Sequence, residues 1–511
     1  MLDALPSTLS SIGLQHLPQL STPRIVASVL CVAPLLFAAR GIYNLYFSPL
    51  RSIPGPWYAA VSEIWILVHT FRCRKVRAID DLFKAYGPVV RISPNTVAFV
   101  DQQTTRIVYN GMKLDKGPIY GAVKMVAIIE HSVHAKYRRI FSSHYTPGNI
   151  ALIHPDMKAS ALVLVEKMLE AKDRQPLDIF PGIHLVMIDL ILKSTFGNHY
   201  GALDDWSETS HNVILSAIEE CAGITPRWLM AIVSRFPNKS WRDFCHSGDT
   251  LFNTTADMVR ETQVAIIEGR LEEREKPTLI QRFMAHNETC APEDILSFED
   301  MASESMTHLL AGVDASAVLT SYILWQFASL SDDVKQKIYT ELDLAMPNAT
   351  VIPDLKVLQS LPMLDALFKE GLRLHGPIPT FLERLAPRGE TLDLMGYKLP
   401  PETVIGTQSW SMHRDATVFP EPETFDVLRW LGEDKSLEAQ TQSLAPFGLG
   451  TRVCIGQHLA RNAIKTMLAA IIRNFEILSS TGTNERTMEM MELFGMFPVG
   501  LSCKLEFRPR A

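Results

Sequence analysis

The stretch with the most specific chemistry is Phe447-Gly448-Leu449-Gly450-Thr451-Arg452-Val453-Cys454-Ile455-Gly456. It sets one cysteine in a glycine-rich loop, directly ahead of an apolar run (Ile455, Leu459, Ala460, Ile464, Met467, Leu468) whose spacing predicts a helix. Glycines let backbone approach a bulky, flat ligand closely. A thiol at a helix N-terminus meets open N–H groups and the positive end of the dipole, and Arg452 adds charge. Cys454 therefore reads as a thiolate prepared for a metal or for nucleophilic attack. The commoner fate of a lone cysteine is a buried structural thiol, and this stretch alone leaves both readings open.

Other residues carry chemistry only in combination. His134 and Arg138 sit four apart on one face of a predicted helix; by themselves they read as a solvated basic face. Phe298 to Ser329 is a long helical pattern without proline, centred on Ala311-Gly312-Val313-Asp314-Ala315-Ser316. Leu364 to His375 predicts another helix, with Glu370 and Arg373 three apart. Such a pair arises often and usually makes a surface salt bridge; its place on an apolar helix ahead of the cysteine loop is what makes it informative. Arg429 and Trp430 lie between the two.

In order and in type these motifs resemble the cytochrome P-450 family, in which F-x-x-G-x-R-x-C-x-G is the haem-binding loop. The resemblance covers roughly residues 45 to 511, and its wording is similar to a fungal microsomal member. It implies a mainly α fold with a smaller β-rich part. The cofactor would be haem b (iron protoporphyrin IX), held between the central helix and the cysteine loop. Cys454 would be the axial iron ligand, pushing electron density toward the metal. Phe447, Gly448, Gly450 and Gly456 would shape the haem loop. Arg452, His134, Arg138 and Arg384 would meet the two propionates, where Arg binds carboxylates bidentately. Ala311 and Gly312 would leave room for dioxygen, while Asp314 and Ser316 would deliver protons. Ala315 stands where the family carries a threonine, and Ser316, about 100° further round the helix, cannot simply inherit that hydroxyl's place. Glu370, Arg373 and Arg429 would form a buried structural triad, although Val427 and Leu428 replace the usual Pro and Glu.

The elements that must position these groups come from a chain of 511 residues, 47% hydrophobic and 21% charged, which suits a globular enzyme and excludes a disordered chain. A net charge of −7 and the lack of a long basic run give no nucleic-acid footprint. Seven scattered cysteines argue against a disulfide framework. Sequons at Asn238, Asn253, Asn287 and Asn348 matter only if those segments face a secretory lumen.

Ile25 to Ala39 is apolar between Arg24 and Arg40; extended through Phe47 it is long enough to cross a bilayer, with Arg40 snorkelling. Residues 1–48 then form an N-terminal segment with a membrane anchor helix at about 25–47, and 49–511 the catalytic domain. The charge bias favours a single pass in the endoplasmic reticulum membrane with a cytoplasmic body; a cleaved signal peptide is the rival reading. Pro49 to Pro56 predicts a stiff hinge. Val89 to Asp101 predicts two short strands around Ser93-Pro94-Asn95, and Glu390 to Gln408 a hairpin after Phe381–Arg384. Residues 150 to 295 alternate amphipathic helices with polar loops, and Trp228–Val233 reads as a core helix. Pro498–Gly500 predicts a turn that the resemblance would point into the substrate pocket.

The activity the resemblance implies is a monooxygenase acting on an apolar small molecule of fungal secondary metabolism, with dioxygen. No flavin or dinucleotide motif is present, so electrons would come from a separate NADPH-cytochrome P-450 reductase. Arg461, Lys465 and Arg473 would help it dock, or simply form a solvated face. Ala315 keeps open a haem-thiolate enzyme of oxidative coupling, desaturation, isomerisation or dehydration. A non-catalytic haem sensor is a third reading.

Overall fold

A computed structural model describes residues 22–118, 128–197, 200–204, 206, 239–271, 276–432, 435–493 and 495–510. Trp228–Val233, Asn238 and Phe494 lie outside the described residues. The helices that matter here are α1 (Thr22–Tyr46), α2 (Ile64–Phe71), α3 (His131–Ser142), α4 (Pro147–Glu170), α5 (Ile179–Phe196), α6 (Phe298–Ala328), α7 (Pro362–His375) and α8 (Gln457–Asn474).

The uninterrupted helical pattern becomes α6, 31 residues and about 46 Å at 1.5 Å per residue. Its start is fixed by a capping box. Ser297 Oγ accepts from the Asp300 N–H at 3.1 Å, and Asp300 Oδ2 accepts from the Ser297 N–H at 3.1 Å. Helices α5, α7 and α8 pack along α6, and one continuous apolar core runs through all four. A Cβ added at Gly312 would lie 2.8 Å from Ile191 Cδ1 of α5, so the missing side chain lets these two helices approach. Helices α5 and α6 are apolar enough to span a bilayer, yet 83% and 67% of the apolar stretches containing them are buried in protein. They are core helices, and α5 is buried all round rather than amphipathic as the sequence suggested.

The smaller β-rich part is built on a four-stranded sheet: β1 (Val89–Ser93), β2 (Thr96–Phe99), β3 (Phe381–Leu385) and β4 (Val404–Gln408), in the order β1-β2-β4-β3. β1 and β2 pair antiparallel around the predicted turn, β2 and β4 run parallel, and β3 and β4 antiparallel. The single hairpin expected over 390–408 is divided. Leu392–Leu394 pairs with Tyr397–Leu399, while β4 leaves to join the larger sheet. Pro400 and Pro401 lack the N–H groups that would extend the small hairpin, and β4, buried along its length, needs neighbours on both sides.

At the N-terminal end, α1 leaves Val32, Leu35, Leu36 and Phe37 exposed. It is tied to the sheet by Arg91, whose Nη1 donates to the Asn44 carbonyl at 2.9 Å and Nη2 to the Pro94 carbonyl at 2.7 Å. Pro49–Ser52 is a short 3-10 turn anchored in the fold rather than a hinge between parts, because Leu50 and Ile53 insert into the core beneath the sheet. Helix α2 carries Ile64, Leu67, Val68 and Phe71 as an exposed stripe, and none of its eight residues is buried.

Candidate active site

The cysteine loop is held open by backbone geometry. Gly448 and Gly450 have φ of +74° and +70°. A Cβ at Gly450 would be built into the Tyr109 carbonyl oxygen, so position 450 admits only glycine. The Cys454 N–H donates to the Phe447 carbonyl at 2.9 Å, closing the loop, and Gly456 caps α8. Cys454 is exposed to solvent although protein surrounds its sulfur on nearly every side, as on the wall of an internal concavity. Burial pushes the thiol up, while the Gly456 N–H and the Arg138 guanidinium pull it down. Burial wins, so the polypeptide alone does not give the ready thiolate that the sequence suggested. Helix-end dipoles and one guanidinium do not offset the desolvation of a sulfur anion; a cation at the sulfur would.

Arg138 is clamped to this loop, its Nη1 donating to the Val453 carbonyl at 2.7 Å. Tyr145, just past α3, stands between the loop and α6. Its ring is 5.2 Å from that of His308 on α6, and its Cε1 lies 3.9 Å from where a Gly456 Cβ would be.

Positive groups gather beside the loop. Arg452 donates from Nη1 to the Ile128 carbonyl at 2.8 Å and from Nη2 to the Ile129 carbonyl at 3.0 Å. Arg384, buried in β3, lies 4.7 Å from the centre of the Tyr109 ring. Lys116 is also buried; burial first, then Arg452 and Arg384, push its ammonium down to about 7 from an ordinary 10.5. Burial, Arg452, Lys116 and Arg138 push His134 down to about 3, and its Nδ1 is buried without a hydrogen-bond partner among the described residues. These groups repel one another, and a ligand with more than one negative charge would relieve them.

Glu370, Arg373 and Arg429 also come together, with every atom answered. Glu370 accepts from Arg373 Nε at 2.9 Å and Nη2 at 2.7 Å, from Arg429 Nε at 3.1 Å, from Trp430 Nε1 at 2.9 Å and from the Asp426 N–H at 2.9 Å. The surplus guanidinium donors reach the carbonyls of His413, Pro422, Thr424 and Pro420. His413 Nε2 in turn accepts from the Ala445 N–H at 3.0 Å, two residues before the cysteine loop. The network braces that loop.

On α6 the central residues separate by face. Ala311 is exposed in the middle of a helix packed on its other sides, and Ala315, one turn on, is partly accessible. Ser316 is 2% exposed and turned into the core, away from that face. Gly312 meets α5, so its small size serves helix packing as well as any room for dioxygen. Asp314 faces α5 too, with Oδ1 3.5 Å from His184 Nε2.

The cytochrome P450 family profile matches residues 56–505, and the chain belongs to that family. It is 26% identical over 490 residues to cytochrome P450 monooxygenase cypX of Dothistroma septosporum, covering 91% of this chain and 93% of that one. It is 24% identical over 477 residues to cytochrome P450 monooxygenase stcB of Emericella nidulans, covering 91% and 89%. Tryprostatin B 6-hydroxylase of Aspergillus fumigatus is 25% identical over 455 residues, covering 86% and 78%. These relatives are oxidoreductases by name. The family binds haem iron, and the residues present fit one: a loop only glycine can form, a sulfur on a concave wall, crowded buried cations and the unpartnered His134 Nδ1.

Lys116 and His184 escaped the sequence reading. Lys116 meets Arg384 and Arg452, and His184 meets Asp314, across more than a hundred positions, and no spacing rule joins such pairs. The docking face was misread in two of its three residues. Lys465 is 1% exposed and paired with Asp365 at 2.6 Å, and Arg473 donates to the Met346 carbonyl at 2.9 Å; only Arg461 remains partly accessible. The Pro498–Gly500 turn closes against the Thr487 carbonyl, with Val499 exposed.

Proposed function

We propose that this chain is a haem-thiolate monooxygenase that oxidises an apolar small molecule, in fungal secondary metabolism, using dioxygen and electrons from a separate NADPH-dependent reductase. The observation that carries the reading is the sulfur of Cys454 on a concave wall, with the Gly456 N–H and Arg138 beside it and buried cations gathered nearby. Cys454 would ligate the iron of haem b. Arg452, Arg384, Lys116 and His134 would receive the propionates, and Arg138 would hold the loop against the ring. Bound there, haem supplies dioxygen activation and the oxidising power to insert one oxygen atom into a C–H or C=C bond. Ala311 and Ala315 form the small, accessible face of α6, and Asp314 is the nearby acid that can hold and release a proton. Ser316, turned into the core, contributes through packing.

The relatives' names support the pathway class: they are fungal, and one is named as a hydroxylase of tryprostatin B. A membrane location is supported by the exposed apolar residues of α1 and by the α2 stripe, which continues them through Trp57 and Tyr58. We read residues 1–48 as an endoplasmic reticulum anchor segment and 49–511 as a cytoplasmic catalytic domain.

The test is the absorbance spectrum of the reduced, carbon-monoxide-bound protein in microsomes, wild type beside Cys454→Ala. A strongly red-shifted Soret band only in the wild type is expected. A band at the imidazole-ligated position, or no bound haem, would overturn the reading. One observation favours a second reaction. The accessible face of α6 carries Ala315 without a hydroxyl, which suits coupling, desaturation, isomerisation or dehydration as well as insertion. Turnover without reductase and NADPH would select the isomerase or dehydratase form.

A further inference from the structure

His184 on α5 is fully buried, and its ring lies between two fixed groups. Nδ1 is 2.8 Å from the Phe180 carbonyl oxygen, and Nε2 is 3.5 Å from Asp314 Oδ1 on α6. A carbonyl oxygen can only accept, so Nδ1 carries a hydrogen. In a neutral ring Nε2 is then a bare lone pair. Opposite it stands a carboxylate oxygen that is also all lone pair. Neither Nε2 nor Oδ1 has another hydrogen-bond partner among the described residues, and both atoms are buried. Two buried acceptors facing each other are costly, and one proton placed between them turns the repulsion into a hydrogen bond or an ion pair. The distance is longer than a finished hydrogen bond, but catalytic pairs often tighten only in the working complex.

We propose that Asp314 and His184 hold one proton in common, in addition to the Nδ1–H, so that His184 is the positioning residue that keeps a transferable proton on the Asp314 carboxyl. Asp314 keeps 16% of its side-chain accessibility, enough to meet water, whereas His184 has none. The proton therefore enters and leaves through Asp314. Release breaks the O–H bond of the Asp314 carboxyl, whose electron pair stays on the carboxylate; a proton resting on His184 Nε2 first passes to Oδ1, and the N–H pair stays on nitrogen. Water on the accessible side of Asp314 returns a proton to the carboxyl, and the Nδ1–H stays on the Phe180 carbonyl throughout. Gly312 serves the same pair, because its missing Cβ lets the helix carrying His184 approach α6. His184 gives this chain a buried proton store beside the helix position where it lacks the family's threonine. The inference rests on the reading of Asp314 as the acid next to the reacting centre.

The experiment uses the holoenzyme in its reduced, carbon-monoxide-bound, diamagnetic form at neutral pH. Histidine ring nitrogens are labelled with 15N, with His184 assigned by the signals lost in His184→Gln. The infrared carbonyl band of a protonated carboxyl is assigned by its loss in Asp314→Asn. Expected is either a His184 with both ring nitrogens protonated, or a protonated Asp314 carboxyl beside a His184 bare at Nε2. A neutral His184 with an ionised Asp314 would overturn the proposal, whichever ring nitrogen carries the hydrogen. Coupling of electron use to product then separates the two layers. If the proton is shared and Asp314→Asn leaves coupling unchanged, the role of Asp314 fails and the pair stands. If no proton is shared and Asp314→Asn uncouples the enzyme, the role of His184 fails and that of Asp314 stands.

Discussion

Two charged regions flank the cysteine loop, and they are opposites. Around Glu370 every charge is answered: five hydrogen bonds converge on the carboxylate, and the remaining guanidinium donors end on carbonyls. Arg452, Lys116, Arg384 and His134 stand close together with like charge, and burial and mutual repulsion push Lys116 and His134 down. The first region has no work left for a ligand and braces the fold. The second is under electrostatic tension that an anion would relieve. A carboxylate answered by guanidinium groups and a cluster of like cations are thus told apart by their surroundings, not by the mere presence of arginines.

The largest effect should come from Glu370→Ala. It leaves two guanidinium groups, the Trp430 N–H and the Asp426 N–H without their acceptor, at a cost of about 3–5 kcal/mol in denaturant unfolding, with haem lost as the loop loosens. A loss below about 1 kcal/mol would mean the network is idle. Arg373→Lys keeps the charge but not the fork that reaches Glu370 and three carbonyls, and should cost about 2–3 kcal/mol in the same measurement.

At the other region the sign should differ between states. Lys116→Met removes a repelled, buried charge, so the haem-free protein should unfold at a higher temperature, while haem passes to a scavenger protein roughly tenfold faster, about 1.4 kcal/mol. If Lys116→Met instead destabilised both states as Glu370→Ala does, the contrast between the two regions would be wrong.

The last effect is in pH. The folded, haem-free protein binds fewer protons at Lys116 than the unfolded chain does between about 7 and 10.5. Stability of the haem-free form should therefore rise with pH across that window, the penalty being fully present below about 7. Propionates that restore the ammonium would take up a proton above pH 7, so haem should be held less tightly as pH rises toward 10.5. Subtracting the Lys116→Met profile isolates this slope, and a wild-type slope unchanged in the variant would show that Lys116 is not its source.

Much of this was legible in the chain. The cysteine loop, the long capped helix, the paired strands at 89–99 and the Glu370–Arg373 spacing all declare themselves locally. Misreadings came where a residue's neighbours are distant in sequence. Lys465 and Arg473 read as a solvated face until α7 and the segment at 343–347 covered them. Pro49–Pro56 read as a stiff hinge until Leu50 and Ile53 found a core. Gly312 has in addition a packing role that no local pattern shows, because Ile191 of the neighbouring helix lies against it.

The sequence by itself determined the family, the glycine-flanked cysteine ahead of its helix, and the order of the helices around it. These depend on residue type, glycine conformation and apolar period, which act over a few residues. Only the tertiary structure decided which charged groups are braced by opposite charge and which are pushed by burial and like charge, because both are properties of the packed surroundings. The same physics placed His184 against Asp314: two helices touch where a glycine allows it, and contact across 130 positions is set by packing.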